Sequence, residues 1–136
     1  MRITLDKDAF LPERAHRNDA GLDIKSPVTV IVPAHGSAVI DTGVHVDIWD
    51  RYVGFLKSKS GLNVKHNIQS EGVIDSGYTG SIVVKLYNLG DDDYLVERGD
   101  KISQLVILPI LTPVIEVVDS LGETERGNNG FGSSGK

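Results

Sequence analysis

The sequence predicts an all-β protein of the sandwich, jelly-roll or barrel type. Short segments rich in β-branched residues recur along the chain, and clusters of Gly, Pro and Asp separate them. No long segment shows the apolar repeat of an amphipathic helix. Many short strands with turn residues between them are typical of folds built from antiparallel sheets.

Five segments are predicted to be strands. Four are runs of mostly apolar or β-branched residues, and one, around Val46, alternates apolar and polar side chains as a half-buried strand does. In chain order they are residues 28–32, 44–48, 82–87, 102–108 and 114–118. Turn-forming residues separate several of these segments, at positions 33–36, 90–93 and 98–100.

One short helix is predicted near Ser60, because a serine is a favourable N-cap residue. The helix could run into residues 62–65, although Gly61 has low helix propensity. The chain length suits a single domain, which we assign to residues 1–122. Residues 123–136 form a Gly- and Ser-rich tail that cannot bury a core, and we expect it to be mobile on its own.

Composition restricts the function classes. The net charge of −5 disfavours nucleic acid as a partner, and the chain has no apolar run long enough to span a membrane. It contains no cysteine and no signal-peptide pattern at its N-terminus, so we expect a cytoplasmic protein. The four histidines lack zinc-ligand spacing, which makes a metal held by protein ligands alone unexpected.

The segment from Lys57 to Gly61 could bind an anion. Two lysines and two hydroxyls lead into the predicted helix start, where free N–H groups favour negative charge. The alternative is an exposed basic loop with no ligand.

The segment from Gly72 to Gly80 contains a candidate general base. Asp75 follows two apolar residues, so we expect it where a buried strand emerges, and a carboxylate at such a place can accept a proton. An Asp that starts a hairpin turn is the alternative, and it leaves Tyr78 unexplained.

A third polar cluster lies between Asp19 and Ile24. Asp23 stands between two apolar residues, with a glycine two positions before it. Taken alone, this cluster indicates no more than a turn into a strand.

The C-terminal tail has the parts needed to close over a ligand with phosphates at one end and a base at the other. It offers backbone N–H groups, hydroxyls, the Arg126 guanidinium and the Phe131 ring. A flexible terminus without a ligand is the alternative.

Taken together and in order, these clusters resemble the five motifs of the trimeric dUTPases (dUTP diphosphatases). The motifs are residues 20–24, 59–62, 72–80, 99–105 and 126–135. The resemblance extends over nearly the whole chain. It implies a jelly-roll-like β fold, a homotrimer with a C-terminal tail donated across the assembly, and hydrolysis of dUTP to dUMP and pyrophosphate with Mg²⁺.

The resemblance also implies roles for individual residues. Asp75 would deprotonate the attacking water, and Asp23 would reach Mg²⁺ through water while substrate phosphates hold most of the ion. The residues expected to contact phosphates are Lys59, Ser60, Gly61 and Gln104.

The third motif and the tail would bind the nucleoside and the far phosphate. Tyr78 would pack on the deoxyribose, and the hairpin around Gly72 and Ile74 would read uracil through its backbone. The tail residues expected to contact substrate are Arg126, Phe131, Gly132, Ser133 and Ser134.

The chain departs from the family pattern in three places. Lys59 stands where the second motif usually has Arg, which keeps the charge but loses bidentate geometry. Residues 65–71 are short for the family, and Ser76 and Gly77 occupy a position where an acidic residue is common.

Two other functions remain open at this stage. One is a relative that acts on dCTP, since dCTP deaminases share this fold. The other is a regulatory protein whose partner binding depends on the bound nucleotide, and the sequence identifies no such partner.

Overall fold

A computed structural model describes residues 1–130, which form nine strands and one short helix. In chain order the elements are β1 (Arg2–Leu5), β2 (Gly21–Lys25), β3 (Val30–Val32), β4 (Ser37–Asp47), β5 (Tyr52–Lys57), α1 (Ser60–His66), β6 (Ile68–Asp75), β7 (Ser81–Asn88), β8 (Tyr94–Val96) and β9 (Lys101–Pro109). The predicted all-β, jelly-roll-like fold with at most one short helix is confirmed for these residues. No helix among them has the length and apolarity needed to cross a membrane.

Seven strands form one curled antiparallel sheet in the order β1-β4-β7-β6-β5-β9-β2. Strand β6 joins its two halves, because residues 68–70 pair with β7 and residues 71–75 pair with β5. Strands β3 and β8 form a separate two-stranded sheet. The curled sheet therefore has two halves that enclose a common core.

The core consists of aliphatic side chains supplied by both halves of the sheet. Ile40 and Leu86 come from the half around β4 and β7, and Leu56 and Leu105 come from β5 and β9, each almost fully buried. Along β7, apolar side chains alternate with exposed ones at every second residue, so one face of the strand packs on the core.

Four of the five predicted strands are present. Residues 82–87 and 102–108 lie within β7 and β9, residues 44–47 lie in β4, and the first predicted segment is a strand only at Val30–Val32. Strands β1, β2, β5 and β8 have no counterpart in the sequence prediction. They are short, and their conformation depends on pairing with β4, β9 and β3, which lie far away in the sequence.

The predicted strand at residues 114–118 is wrong. This segment belongs to an extended stretch after β9 in which Val114, Ile115 and Val117 are each about nine-tenths exposed. β-branched residues favour strands only where a neighbouring strand accepts their backbone hydrogen bonds. Within residues 1–130, no strand pairs with this stretch.

The short helix is present, with a different cap from the one predicted. Ser60 is the first helical residue, and Lys59, in extended conformation, occupies the N-cap position without a side-chain capping bond. Asn67 ends the helix in the left-handed conformation, with φ of 55°. As the N-cap residue, Lys59 lies at the junction between β5 and the helix.

Candidate active site

The centre of the first candidate group is the carboxylate of Asp23. Strand β2 pairs with β9, and this register places Asp23 opposite Gln104 with its side chain only 6% exposed. Lys59 Nζ binds one carboxylate oxygen, and Lys101 Nζ lies 2.7 Å from the other. Two ammonium groups therefore neutralise one buried carboxylate.

These contacts decide the protonation of Asp23. Burial on its own would raise the pKa of this carboxyl, but hydrogen bonds and charge from Lys101 and Lys59 outweigh burial and hold the pKa below its usual range. The same contact with Asp23 raises the pKa of Lys101. Asp23 is accordingly an anion and Lys101 is a cation at neutral pH.

Gln104 is fixed beside this ion pair. Its side-chain amide donates to the carbonyl of Ser58 at 3.0 Å. Gly21 lies across the strand pair, and a Cβ added there would stand 2.3 Å from the Gln104 amide oxygen. The absence of a side chain at position 21 therefore leaves the room that the Gln104 side chain occupies.

Buried serines connect the strands beneath this group. The Ser70 and Ser103 hydroxyls lie 2.9 Å apart, and both residues are almost fully buried. Ser58 Oγ accepts from the Ser70 N–H at 2.9 Å, and Ser103 donates to the carbonyl of Lys57 at 3.2 Å. These bonds tie β6, β9 and the end of β5 together just before Lys59.

The second candidate group lies on the hairpin between β6 and β7. Asp75 is the last residue of β6, exposed and directly after the buried Ile74, so its predicted place at the end of a buried strand is confirmed. The Tyr78 N–H donates to the Asp75 carbonyl at 3.2 Å, which closes the turn. Gly77 occupies the turn with φ of 84°, a conformation that strongly favours glycine.

The Tyr78 ring folds back over its own hairpin. Its hydroxyl donates to the carbonyl of Ser81 at 3.0 Å, and a Cβ at Gly80 would stand 2.6 Å from the ring carbon Cζ. Tyr78 remains 46% exposed. The hydroxyl bond thus holds the ring in place while nearly half of the residue stays accessible.

The two groups are far apart within one chain. Asp23, Gln104, Lys57 and Glu71 lie side by side across four neighbouring strands. Three strand spacings of about 4.8 Å separate Asp23 from Glu71, which is about 14 Å across the sheet. The four residues from Glu71 to Asp75 then add about 13 Å along β6. Measured along the sheet of one chain, Asp75 is therefore remote from the group around Asp23.

Comparison with known proteins identifies the family of this chain. A family model described as dUTPase matches residues 7–135. The chain belongs to the dUTPase family. It is 41% identical over 134 residues to the deoxyuridine 5'-triphosphate nucleotidohydrolase of Clostridium acetobutylicum, covering 96% of this chain and 92% of that protein.

Solved structures of phage dUTPases are similar along nearly their whole length. The Staphylococcus bacteriophage 80alpha dUTPase with dUPNHPP matches with a TM-score of 0.89 and 37% identity, covering 99% of this chain and 98% of that one. A mutant dUTPase from phage phi11 of S. aureus, solved with a structural Mg(II) ion, matches with a TM-score of 0.82 and 33% identity, covering 88% and 97%.

Half of the fifth dUTPase motif, residues 131–135, lies outside the described residues. Arg126 is described, and its guanidinium donates to the carbonyl of Asn129 at 3.1 Å within a local turn. No hydrogen bond joins residues 111–130 to residues 1–109. The predicted contacts of Phe131, Gly132, Ser133 and Ser134 fall on residues 131–136, which lie outside this range.

Residues 1–130 contain no group of three or more His, Asp or Glu side chains placed to hold a metal ion. Asp23 is the carboxylate of the first motif, and its oxygens are already paired with lysines. This donor set fits Mg²⁺ only if other molecules supply most of the ligands of the ion. Asp23 could still contact such an ion through water, because each carboxylate oxygen has a second lone pair that can accept a hydrogen bond from metal-bound water.

The sequence did not indicate the contacts made by two residues beside these groups. Lys101 lies in the fourth motif, but its contact with Asp23 depends on the pairing of β2 with β9. His45 lies on the polar side of β4, and its ring contacts the carbonyl of Thr79 in the hairpin. Both contacts join residues that are remote in the sequence.

Proposed function

We propose that this protein hydrolyses dUTP to dUMP and pyrophosphate. The family match over residues 7–135 carries the proposal. Two geometric features agree with it: an exposed carboxylate next to an ordered tyrosine on one hairpin, and lysines gathered at one edge of the sheet. A triphosphate needs cations, and a hydrolase needs a base near the reacting phosphorus.

Asp75 is the proposed general base. Its carboxylate takes a proton from a water molecule while the water oxygen bonds to the α-phosphorus, and the bond from that phosphorus to the bridging oxygen of the β-phosphate breaks. Pyrophosphate leaves with the electron pair. An exposed carboxylate at the end of a rigid strand suits this task because β6 fixes its position.

Lys59, Ser60, Gly61 and Gln104 are the proposed phosphate contacts. Lys59 can exchange its bond with Asp23 for a phosphate oxygen, because Lys101 still neutralises the carboxylate. Gln104 is held by Ser58 directly before Lys59, so its amide lies next to this site.

The hairpin is the proposed nucleoside site. Backbone groups around Gly72 and Ile74 would read the uracil edge, and the partly exposed Tyr78 ring would pack on the deoxyribose. A 2′-hydroxyl would meet that ring, which gives discrimination against UTP.

A homotrimer is the proposed assembly, with residues 1–122 as its catalytic domain and residues 123–136 as a tail that closes over a neighbouring subunit's site. The separation of Asp75 from Lys59 within one chain supports a site made by more than one subunit. Exposed apolar residues at 114–118 also favour burial against another chain. Arg126, Phe131, Gly132, Ser133 and Ser134 would then contact the nucleotide from this tail.

Mg²⁺ is the proposed cofactor, bound mainly by substrate phosphates and reached by Asp23 through water. When bound, it would neutralise negative charge on the triphosphate. A chain without cysteine suits a reducing compartment, and the cytoplasm is the location that we propose.

The decisive experiment is pyrophosphate release by the purified protein with Mg²⁺ and dUTP, dCTP, dTTP or UTP offered separately. We expect rapid turnover of dUTP alone. Ammonia release from dCTP would instead identify a dCTP deaminase, so both products should be assayed. Absence of dUTP turnover contradicts the proposal.

Partner binding that depends on the bound nucleotide is a second candidate. It is motivated by the similarity to an 80alpha dUTPase structure from work stating that phage dUTPases control transfer of virulence genes by a proto-oncogenic G protein-like mechanism. A pull-down whose yield changes with dUTP would support it, and a yield independent of dUTP would exclude it.

A further inference from the structure

The imidazole of His45 joins two segments that are otherwise separate. Its Nδ1 lies 2.8 Å from the carbonyl oxygen of Thr79, in the hairpin that carries Asp75 and Tyr78. Its Nε2 lies 3.3 Å from a carboxylate oxygen of Asp6, in the loop after β1. The side chain is only 26% exposed.

Both partners of this ring are acceptors. A carbonyl oxygen and a carboxylate can only accept hydrogen bonds, and neutral imidazole has a single N–H. In either neutral tautomer, a nitrogen lone pair therefore faces one of the two oxygens. Only the protonated ring donates to both.

A bulge in β4 directs His45 to this position. The pairing of β4 with β7 is irregular between Asp41 and His45, and Gly43 within this interval has φ of 65°. The carbonyl of Gly43 accepts from the Asp6 N–H at 2.8 Å, so the same bulge also fixes the Asp6 loop. Bulges commonly re-aim a side chain in this way.

We propose that protonated His45 is a positioning residue for the Asp75–Tyr78 hairpin and makes the selectivity for dUTP over UTP dependent on pH. The role of the hairpin in substrate binding rests on the proposed function. The bond to Thr79 acts on the backbone next to Tyr78, the residue that would exclude a 2′-hydroxyl. His45 touches no reacting atom, so it acts through the hairpin.

The charges around the ring favour its protonated form. Asp6 binds it directly, and Asp41 lies on the same strand, while Asp47 is paired with Arg2. The bond to the Thr79 carbonyl, followed by Asp6, raises the pKa of His45 above its usual value. At low pH the ring donates to both segments, whereas above the raised pKa its single remaining N–H cannot serve both the Thr79 carbonyl and the Asp6 carboxylate. The restraint on the hairpin therefore weakens as pH rises through the raised pKa.

The first test compares kcat/KM for dUTP and UTP from about pH 5.5 to about pH 9. Effects of pH on the chemical step common to both substrates cancel in the ratio of the two values, so the ratio isolates selectivity. In the wild type we expect the ratio to fall about tenfold with rising pH, the size of one lost hydrogen bond. A ratio that stays constant while His45 titrates would overturn the proposal.

Two variants separate hydrogen bonding from charge. His45→Asn keeps an N–H donor near the Nδ1 position and cannot titrate in this range, so its ratio should stay high at every pH. His45→Leu has no donor, so its ratio should be about tenfold lower throughout. A Leu variant with wild-type selectivity and a wild-type pH profile contradicts the role. If this variant fails to fold, the wild type and the Asn variant still decide.

A measurement independent of activity uses NMR of the full-length protein. Long-range ¹H–¹⁵N spectra should show both His45 ring nitrogens protonated at the acid end of the pH range. The Gly80 amide should shift with the same midpoint as His45, and this shift should vanish in His45→Asn. If dUTP is not turned over, the proposed function fails while this titration still tests the contact. A Gly80 amide that does not follow His45 would refute it.

Discussion

Lys101 Nζ lies 2.7 Å from the Asp23 carboxylate, on the oxygen that Lys59 does not bind. The carboxylate thus has one partner from β9 and another from the junction before α1. If Lys59 turns to a phosphate, Asp23 keeps the Lys101 bond and is not left as a lone buried charge, which would be costly. Lys101 therefore makes it possible for Lys59 to change partner.

Asp23→Asn should lower the free energy of unfolding by about 1–3 kcal/mol at neutral pH, because two charged hydrogen bonds are weakened at a buried site. The folded-state pKa of Asp23 is lowered, so its contribution is present above the unfolded value of 3.8 and is lost as pH falls towards the folded value. Urea unfolding across this acid range measures the effect.

Glu71→Gln is the matched control for Asp23. Glu71 is also bound by a lysine, Lys57, at 2.7 Å, but its side chain is 76% exposed. Exposed ion pairs contribute little to stability, so this variant should unfold nearly as the wild type does. Equal loss of stability in both variants would contradict the importance of burial at Asp23.

Asp75→Asn should bind dUTP normally and lose turnover. The amide has nearly the same shape but cannot accept the proton from water, so kcat should fall by about 10²–10⁴. Steady-state kinetics and binding of a non-hydrolysable dUTP analogue separate the two effects. Asp91→Asn, which changes an exposed loop carboxylate, should leave kcat unchanged. Normal turnover by the Asp75 variant would mean that another residue is the base.

Tyr78→Ala should reduce the preference for dUTP over UTP by about 10–100-fold, because the ring expected to meet the 2′-hydroxyl is removed. Tyr78→Phe retains the ring and loses only the bond to the Ser81 carbonyl, so it should keep most of the selectivity. Competition between dUTP and UTP measures both variants. Unchanged selectivity in the alanine variant would refute this role of Tyr78.

Replacement of Val114, Ile115 and Val117 by Ser should weaken the proposed trimer. These side chains are exposed in one chain, so a partner subunit would account for their apolar character. Light scattering over a range of protein concentrations should show dissociation at a higher concentration than in the wild type. Val64→Ser, at an exposed apolar position on α1, is the control. If the triple variant and the wild type have the same mass at every concentration, residues 114–118 do not form this interface.

Removal of residues 123–136 should lower kcat/KM for dUTP at least about tenfold and leave the assembly intact, since the apolar stretch at 114–118 is retained. The reason is that the tail is proposed to close over the phosphates and the base. Pyrophosphate release and light scattering on the same preparation test the two statements together. Full activity would show that the tail has no part in the site.

The sequence predicted the features that depend on local patterns. The place of Asp75 after an apolar pair was sufficient to locate the end of β6, and the hydrophobic runs located β7 and β9. Residues 114–118 show the limit of such reasoning, because β propensity describes a preference that only a neighbouring strand can satisfy.

Contacts between residues that are far apart in the sequence could not be predicted from it. Asp23 meets Lys101 only because β2 pairs with β9, and His45 meets Thr79 only because of the bulge in β4. Neither contact has a pattern in the intervening sequence. The family resemblance could supply roles for Asp23 and Tyr78, but not the neighbours that set their charge and position.

The pairing of β2 with β9 has a consequence for synthesis on the ribosome. Within residues 1–130, β2 is an edge strand whose sheet neighbour is β9, the last strand to be translated. Until Lys101–Pro109 leaves the ribosome, β2 has no strand to pair with in this sheet, and Asp23 lacks one of its two counterions. Non-local pairing of this kind delays folding, so we expect the nascent chain to stay unfolded around its first motif until β9 has been synthesised.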